Sequence, residues 1–266
     1  MKTVRIIPFL LIITFLIGCA TVPLTGRQQL TIIPQYELLA LSLDSYQQVM
    51  AESNLSQDRE DVRMIRQVGR GIAQAAEDFL RENGLSSKIR NYQWEFNLID
   101  NDTLVNAWCM PGGKVAFYSG ILPVCQNSTG VAVVMGHEVA HALANHGGER
   151  MSQGLITQLG GVALDLALKE KSEETRMIAL TAFCVGAQVG VLLPYSRLHE
   201  SEADHIGLIL MAKAGYDPRE AVPFWERMNL EGGVRPPEFI STHPAPETRV
   251  EKLKEQMPEA LQYYNP

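Results

Sequence analysis

The sequence predicts an α+β fold that is mostly helical, with a small antiparallel or mixed sheet packed over one buried helix. Three observations carry this expectation. Helical periodicity recurs along much of the chain, as where Val62, Ile65, Val68, Ile72 and Ala75 fall on one face. Two neighbouring extended stretches, "YQWEFNLI" and "NAWCMPGGKVAFYSGIL", supply enough strand for a small sheet. Soon after them, "GHEVAHALANH" sits among Val133, Val134, Val139 and Leu143, which mark it as a buried helix. With 266 residues, 46% hydrophobic and 20% charged, the chain is long enough for one well-packed domain. Its 23 basic and 30 acidic residues leave a net charge of −7 with no basic cluster, which argues against a nucleic-acid partner.

Taken from the N-terminus, "MKTVRIIPFLLIITFLIGC" has Lys2 and Arg5 ahead of an apolar core, Ile6 to Ile17, that is short for a bilayer span. Residues 1–18 therefore read as an export signal, with an uncleaved membrane anchor as the alternative. Leu16-Ile17-Gly18-Cys19 resembles the bacterial lipobox, which implies that Cys19 is lipidated and becomes the new N-terminus. Several acyl chains on one cysteine hold a protein stably to a membrane. Ala20 in the next position implies the outer membrane, on its periplasmic face. Residues 19–57 are expected to form a polar, turn-rich tether to about Pro34 and a first helix, Tyr36 to Met50. The main domain, 58–266, then opens with a helix from Asp58 to Arg81 that Asn83-Gly84 closes.

Tyr92 to Ile99 reads as a strand, and Pro111-Gly112-Gly113 as a tight turn between two further extended segments. Gln126 to Thr129 offer caps for a helix from Val131 to Asn145, with Gly147-Gly148 as its stop. A long uncharged run, Met177 to Pro194, holds Gln188 and two glycines and stops at its proline after 17 residues. It is expected to be a buried or membrane-grazing helix rather than a spanning one, paired with the similar segment Gly154 to Leu168. Gly215 ends a helix, and Asp217-Pro218-Arg219-Glu220 starts the next with a capping box. Cys109, Cys125 and Cys184 are expected as small buried hydrophobes, although export would permit a Cys109–Cys125 bridge.

The chemistry gathers in the buried helix. Positions four apart share a helical face, so the imidazoles of His137 and His141 can converge on one ion with Glu138 beside them. A third ligand is needed. The HxxGxxH continuation is excluded, because Ala144 and Gly147 stand where glycine and histidine are required. Downstream, "SRLHESEADHIG" sets Glu200 and Asp204 four apart; Glu202 competes for the ligand role but lacks that partner. Two histidines and a glutamate with an open fourth position suit one catalytic Zn2+ per chain. Asp204 can accept the remaining N–H of a ligand histidine and fix its tautomer. His146, His199 and His205 read as structural or exposed and receive no chemistry.

On these residues the chain resembles the M48-type zinc metalloproteases, gluzincins related to the Ste24 and HtpX peptidases, and in particular their short bacterial lipoprotein members. The matching pieces are "PLTGRQQL", "NAWCMPGG", "GHEVAHALANH" with Arg150, "SRLHESEADHIG", "AGYDP" and "STHP". The resemblance implies a zincin-like fold, zinc ligands His137, His141 and Glu200, a catalytic base in Glu138, and Asp204 as the motif aspartate. It also implies that His243 lies near the site, either stabilising the transition state or acting as a reversible fourth ligand. Cys109 stands where the family is usually aliphatic, and the C-terminal helical-repeat domain of some larger relatives is not expected. The implied function is an envelope-anchored zinc endopeptidase acting on unfolded or misassembled envelope proteins. The strand flanking Pro111, Gly112 and Gly113 would pair with extended substrate through main-chain hydrogen bonds. The alternative is an assembly or chaperone-like lipoprotein with a latent zinc site, touching clients through Met177 to Leu193; an assembly-machinery partner stays open. An intact Glu138 favours the first reading.

Overall fold

The computed structural model describes residues 19–230, 238–243 and 248–265, so the signal reading of 1–18 and Pro244 of "STHP" lie outside it. In chain order the elements are β1 (Cys19–Thr21), β2 (Gln28–Leu30), α1 (Gln35–Glu52), α2 (Arg59–Glu82), α3 (Ser86–Ile89), β3 (Glu95–Ile99), β4 (Ala107–Met110) and β5 (Lys114–Tyr118). They continue as α4 (Leu122–Cys125), α5 (Ser128–Leu143), α6 (His146–Ala167), α7 (Glu173–Ala187), α8 (Leu193–Lys213), α9 (Ala221–Leu230), α10 (Glu238–Thr242) and α11 (Arg249–Ala260). The fold is α+β and mostly helical, as the periodicity predicts.

Helix α2 starts where Asp58 accepts hydrogen bonds from the N–H groups of Glu60 and Asp61. Its apolar face, with Ile65, Val68, Ile72, Ala76 and Phe79 buried, packs on α5. The larger sheet has the order β3-β5-β4, with β3 parallel and β4 antiparallel to β5. It is therefore mixed, and β4 is its edge strand beside α5. The turn joining β4 to β5 needs glycine at Gly113, which has φ +84° and whose missing Cβ would lie 2.6 Å from the Trp94 ring.

Helix α5 is the centre of the core. Asn127 caps it by accepting from Thr129 and Gly130 N–H, and every residue from Gly130 to His141 is buried. Its closest partner is α8: a Cβ at Gly136 would lie 2.8 Å from the Gly207 carbonyl oxygen. The two helices cross backbone to backbone there, which sets the ligand-bearing segments of both within reach of one point.

Several expectations are corrected. The predicted tether is folded: Cys19 pairs with Leu30 across β1 and β2, and Val22 is buried, because Arg27 is drawn into the body by two glutamates. Gly147 and Gly148 do not stop the metal-binding helix but open α6; the break is Asn145, in the left-handed region at φ 55°. Of the two readings of Met177 to Leu193, the buried one is overturned, because the segment stands with α6 as a hairpin outside the core; its exposure leaves the membrane-grazing one standing. Cys109, Cys125 and Cys184 are free thiols, so no Cys109–Cys125 bridge forms, and Cys184 is exposed on α7 instead of buried. Asp217 accepts from Arg219 N–H, but Glu220 pairs with Arg227 and does not complete a capping box.

Candidate metal centre

Helix α5 presents His137 and His141 one turn apart, and α8 presents Glu200 across the glycine crossing. The C-terminal part supplies His243, just after α10. One donor atom from each of these four side chains lies within 4.8 Å of the others. The Nε2 atoms of His137 and His141 are 3.1 Å apart, and His137 Nε2 is 3.2 Å from Glu200 Oε2. His243 Nδ1 sits 3.3 Å from both His137 Nε2 and Glu200 Oε2. Ligand bonds of about 2.0–2.1 Å give a tetrahedron with edges of about 3.3–3.4 Å, so these separations fit a zinc ion among them. Glu138 Oε1 and Glu200 Oε1 are buried and make no hydrogen bond among the described residues, which is costly unless a cation or substrate engages them.

The tautomers point the same way. His137 Nδ1 lies 2.9 Å from Asp204 Oδ1, so Nδ1–H donates to the carboxylate and Nε2 turns its lone pair to the cluster. Arg249 fixes Asp204 in turn, donating from Nη2 at 2.6 Å and Nε at 2.8 Å, while its guanidinium stacks 3.2 Å from the Trp225 ring centre. Burial alone would push Asp204 up, but Arg249 and His137 outweigh it and hold the carboxyl below its usual range.

His141 has an analogous support. His146 Nε2 lies 3.2 Å from Glu202 Oε2 and donates to it, which leaves His146 Nδ1 free to accept from His141 Nδ1 at 2.8 Å. His141 Nε2 is thereby left bare toward the cluster. Glu202 also accepts from Thr25 at 2.7 Å and from Arg27 Nε at 3.0 Å. Arg27 forms a two-pronged pair with Glu149 at 2.9 and 2.7 Å, and Glu149 also meets His199 Nε2 at 2.9 Å. Thus the N-terminal hairpin, α6 and α8 all end on the back of one ligand histidine.

Glu138 lies beside the four donors without joining them. Its Oε1 is 3.4 Å from His243 Nε2, and burial pushes its carboxyl pKa up, with His243 and His137 pulling the other way. His243 is held by the stacked Phe239 ring, 4.6 Å between centres, and by its N–H donating to the Phe239 carbonyl at 3.0 Å. Phe239 N–H donates to Val105 O at 3.1 Å, which ties α10 to the chain just before β4.

Every site residue expected from sequence except Cys19 and the Pro111-Gly112-Gly113 turn falls in or against this cluster. Cys19 lies in β1, and the turn caps the far end of β4. Sequence reasoning missed Arg249, His146, Glu202, Arg27 and Glu149. Four of these stand in or beside quoted motifs, but motif membership gave no hint of partners; only the i, i+4 rule did, and it reaches one turn. His205 pairs with Glu259 at 2.8 Å and stays structural.

A family model described as peptidase family M48 matches residues 67–257. The mitochondrial metalloendopeptidase OMA1 of Saccharomyces cerevisiae is 38% identical over 186 residues, covering 67% of this chain and 51% of that protein. The human mitochondrial metalloendopeptidase OMA1 is 29% identical over 248 residues, covering 90% of this chain and 46% of its own length. The beta-barrel assembly-enhancing protease of Escherichia coli is 31% identical over 163 residues, covering 59% of this chain and 33% of its own. The chain thus spans about half the length, or less, of these curated relatives.

Proposed function

The chain belongs to peptidase family M48, and on that premise we propose that it is a zinc-dependent endopeptidase of the bacterial envelope whose site is held closed by His243. The observation that carries this is the closure of three metal donors by a fourth, with an intact Glu138 beside them.

His137, His141 and Glu200 would hold the ion, while Asp204 with Arg249 and His146 with Glu202 keep both imidazoles in the ligating tautomer. Zinc, when bound, supplies Lewis acidity toward water and a peptide carbonyl. Glu138 takes the proton of the attacking water and returns it to the leaving amine. His243 occupies the position that water and substrate need. Withdrawing it requires α10 to move, which would break the Phe239–Val105 hydrogen bond at the start of the edge strand. Extended substrate then pairs with β4, whose turn at Pro111, Gly112 and Gly113 bounds the groove. Main-chain pairing tolerates many sequences, which suits unfolded or misassembled envelope proteins.

Lipidated Cys19 would anchor the chain to the periplasmic face of the outer membrane. The E. coli relative named for assembly of beta-barrels supports an envelope setting. That name, together with the closed fourth position, also favours a second reading, in which the protein serves assembly as a client-binding lipoprotein and cleaves rarely. Cleavage of an unfolded, fluorescently labelled protein by the zinc-loaded chain separates the two. Glu138→Gln should lower turnover about 100-fold or more while zinc stays bound; equal turnover by both forms would exclude Glu138 as base.

A further inference from the structure

Helix α6 and the long helix that continues from α7 through a π turn, Gln188–Leu192, into α8 stand side by side as a hairpin outside the core. Phe183 seats against Gly160, where an added Cβ would lie 2.8 Å from the ring, and Asp165 pairs with Arg176 at 2.6 Å near the turn. Beyond that seam the surface is apolar and open. Leu159, Val162 and Leu166 on one helix and Met177, Ile178 and Val185 on the other are 53% to 64% exposed. The helix Glu173–Lys213 has a mean hydropathy of 1.9 in its most apolar window, none of which is buried.

The charges are zoned. From Met177 to Ser196 no residue is charged. These residues are helical throughout, so they extend about 30 Å, the thickness of bilayer hydrocarbon. At the turn, Lys169, Glu170, Lys171, Glu173 and Glu174 form a polar cap, and at the base Arg150 and Arg197 flank the hairpin. The kind of partner follows from the shape of the exposure. A protein groove covers one face of a helix pair, whereas here both helices expose apolar side chains around the outside of the hairpin, the pattern of a helix surrounded by lipid. The base supplies a second pointer. Leu30 joins Ile156, Phe183, Val191 and Tyr195 in a groove on the hairpin, and Leu30 is the residue that Cys19 pairs with across β1 and β2.

We propose that the outer hairpin, from about Gly154 in α6 through α7 to the first turn of α8, is inserted in a lipid bilayer, with its charged turn in water beyond the hydrocarbon and its base at the near headgroups. Cys19 is paired with Leu30 beside that groove, so an acyl chain on it would enter the same leaflet as the hairpin. The embedded helix also carries Glu200, four residues beyond Ser196, or about 6 Å along the axis. The metal cluster is thereby held at the membrane surface, and substrate segments reach it at the interface.

Cys184, exposed midway along the uncharged stretch, is a built-in probe position. The full chain, labelled there with an environment-sensitive fluorophore, is reconstituted in vesicles of phosphatidylethanolamine and phosphatidylglycerol; Cys184→Ser provides the blank. The expected result is blue-shifted emission, quenched by lipids carrying a nitroxide deep in the acyl chain and untouched by iodide present on both faces. A label at Lys171→Cys, in the Cys184→Ser background, should be quenched by iodide. Iodide quenching at Cys184 would overturn the proposal. Shielding of Cys184 from both quenchers would overturn it in favour of a protein cover, and a Lys171 label sheltered from iodide would exclude the spanning arrangement. The readout is depth at one position, so membrane attachment through Cys19 alone cannot produce the expected pattern, and the outcome is independent of proteolytic activity.

Discussion

His141 can offer Nε2 to the cluster because His146 accepts the proton on its other nitrogen, and His146 can do so because Glu202 fixes its tautomer. Replacing His146 by alanine leaves the His141 N–H buried and unpartnered. Zinc affinity should fall by about 10–100-fold, measured by competition with a chromogenic chelator; unchanged affinity would show that His146 does not orient the ligand. His137, Glu138 and His141 were legible in the sequence because one helical turn relates them, and Glu200 because Asp204 repeats the same spacing. His146 was not. A break at Asn145 separates it from the helix rule, and its partner Glu202 lies on another helix. Arg249 was hidden for the same reason: its place over Trp225 and against Asp204 depends on how α11 docks.

At the scale of elements, the metal site exists because α5 and α8 touch at glycines. Gly136→Ala would put a methyl 2.8 Å from the Gly207 carbonyl oxygen, which only a shift of one helix relieves. We expect a loss of about 1–3 kcal/mol of stability in urea unfolding, with weakened zinc binding; a fully stable variant would mean that the crossing has slack. The β1–β2 hairpin makes a second such contact through Arg27. Burial pushes Glu149 and Glu202 up, but His199 and Arg27 outweigh it at Glu149, and His146 and Arg27 at Glu202. Glu202 is brought down to about 2, and Glu149 also lies below the usual range. Both folded values lie below those of the unfolded chain, so this stabilisation is full above about pH 5 and fades as pH falls toward 2. The Tm deficit of Arg27→Ala should therefore be widest above about pH 5 and shrink toward pH 3. A deficit that does not change with pH would remove the ion pairs from the account. Periodicity revealed the helices but not this hairpin, whose three-residue strands carry no pattern and whose docking rests on one arginine.

Across the whole molecule, one continuous helix from Glu173 to Lys213 links the exposed apolar hairpin to Glu200 and Asp204. The N-terminal segment, read from sequence as a tether, closes on that helix through Arg27 and Glu202. The α+β class and the small mixed sheet were legible because local propensity agrees with the fold there. The exposure of Met177 to Leu193 was not, since an apolar run reads alike whether protein or lipid covers it. On the proposed function, the closed four-donor cluster is a latent catalytic site. Turnover of an unfolded test protein by the zinc-loaded chain, His243→Ala and His243→Ala with Glu138→Gln tests it most directly. His243→Ala should cleave several-fold faster, and the double variant almost not at all. Unchanged or slower cleavage by His243→Ala, or cleavage persisting in the double variant, would contradict it.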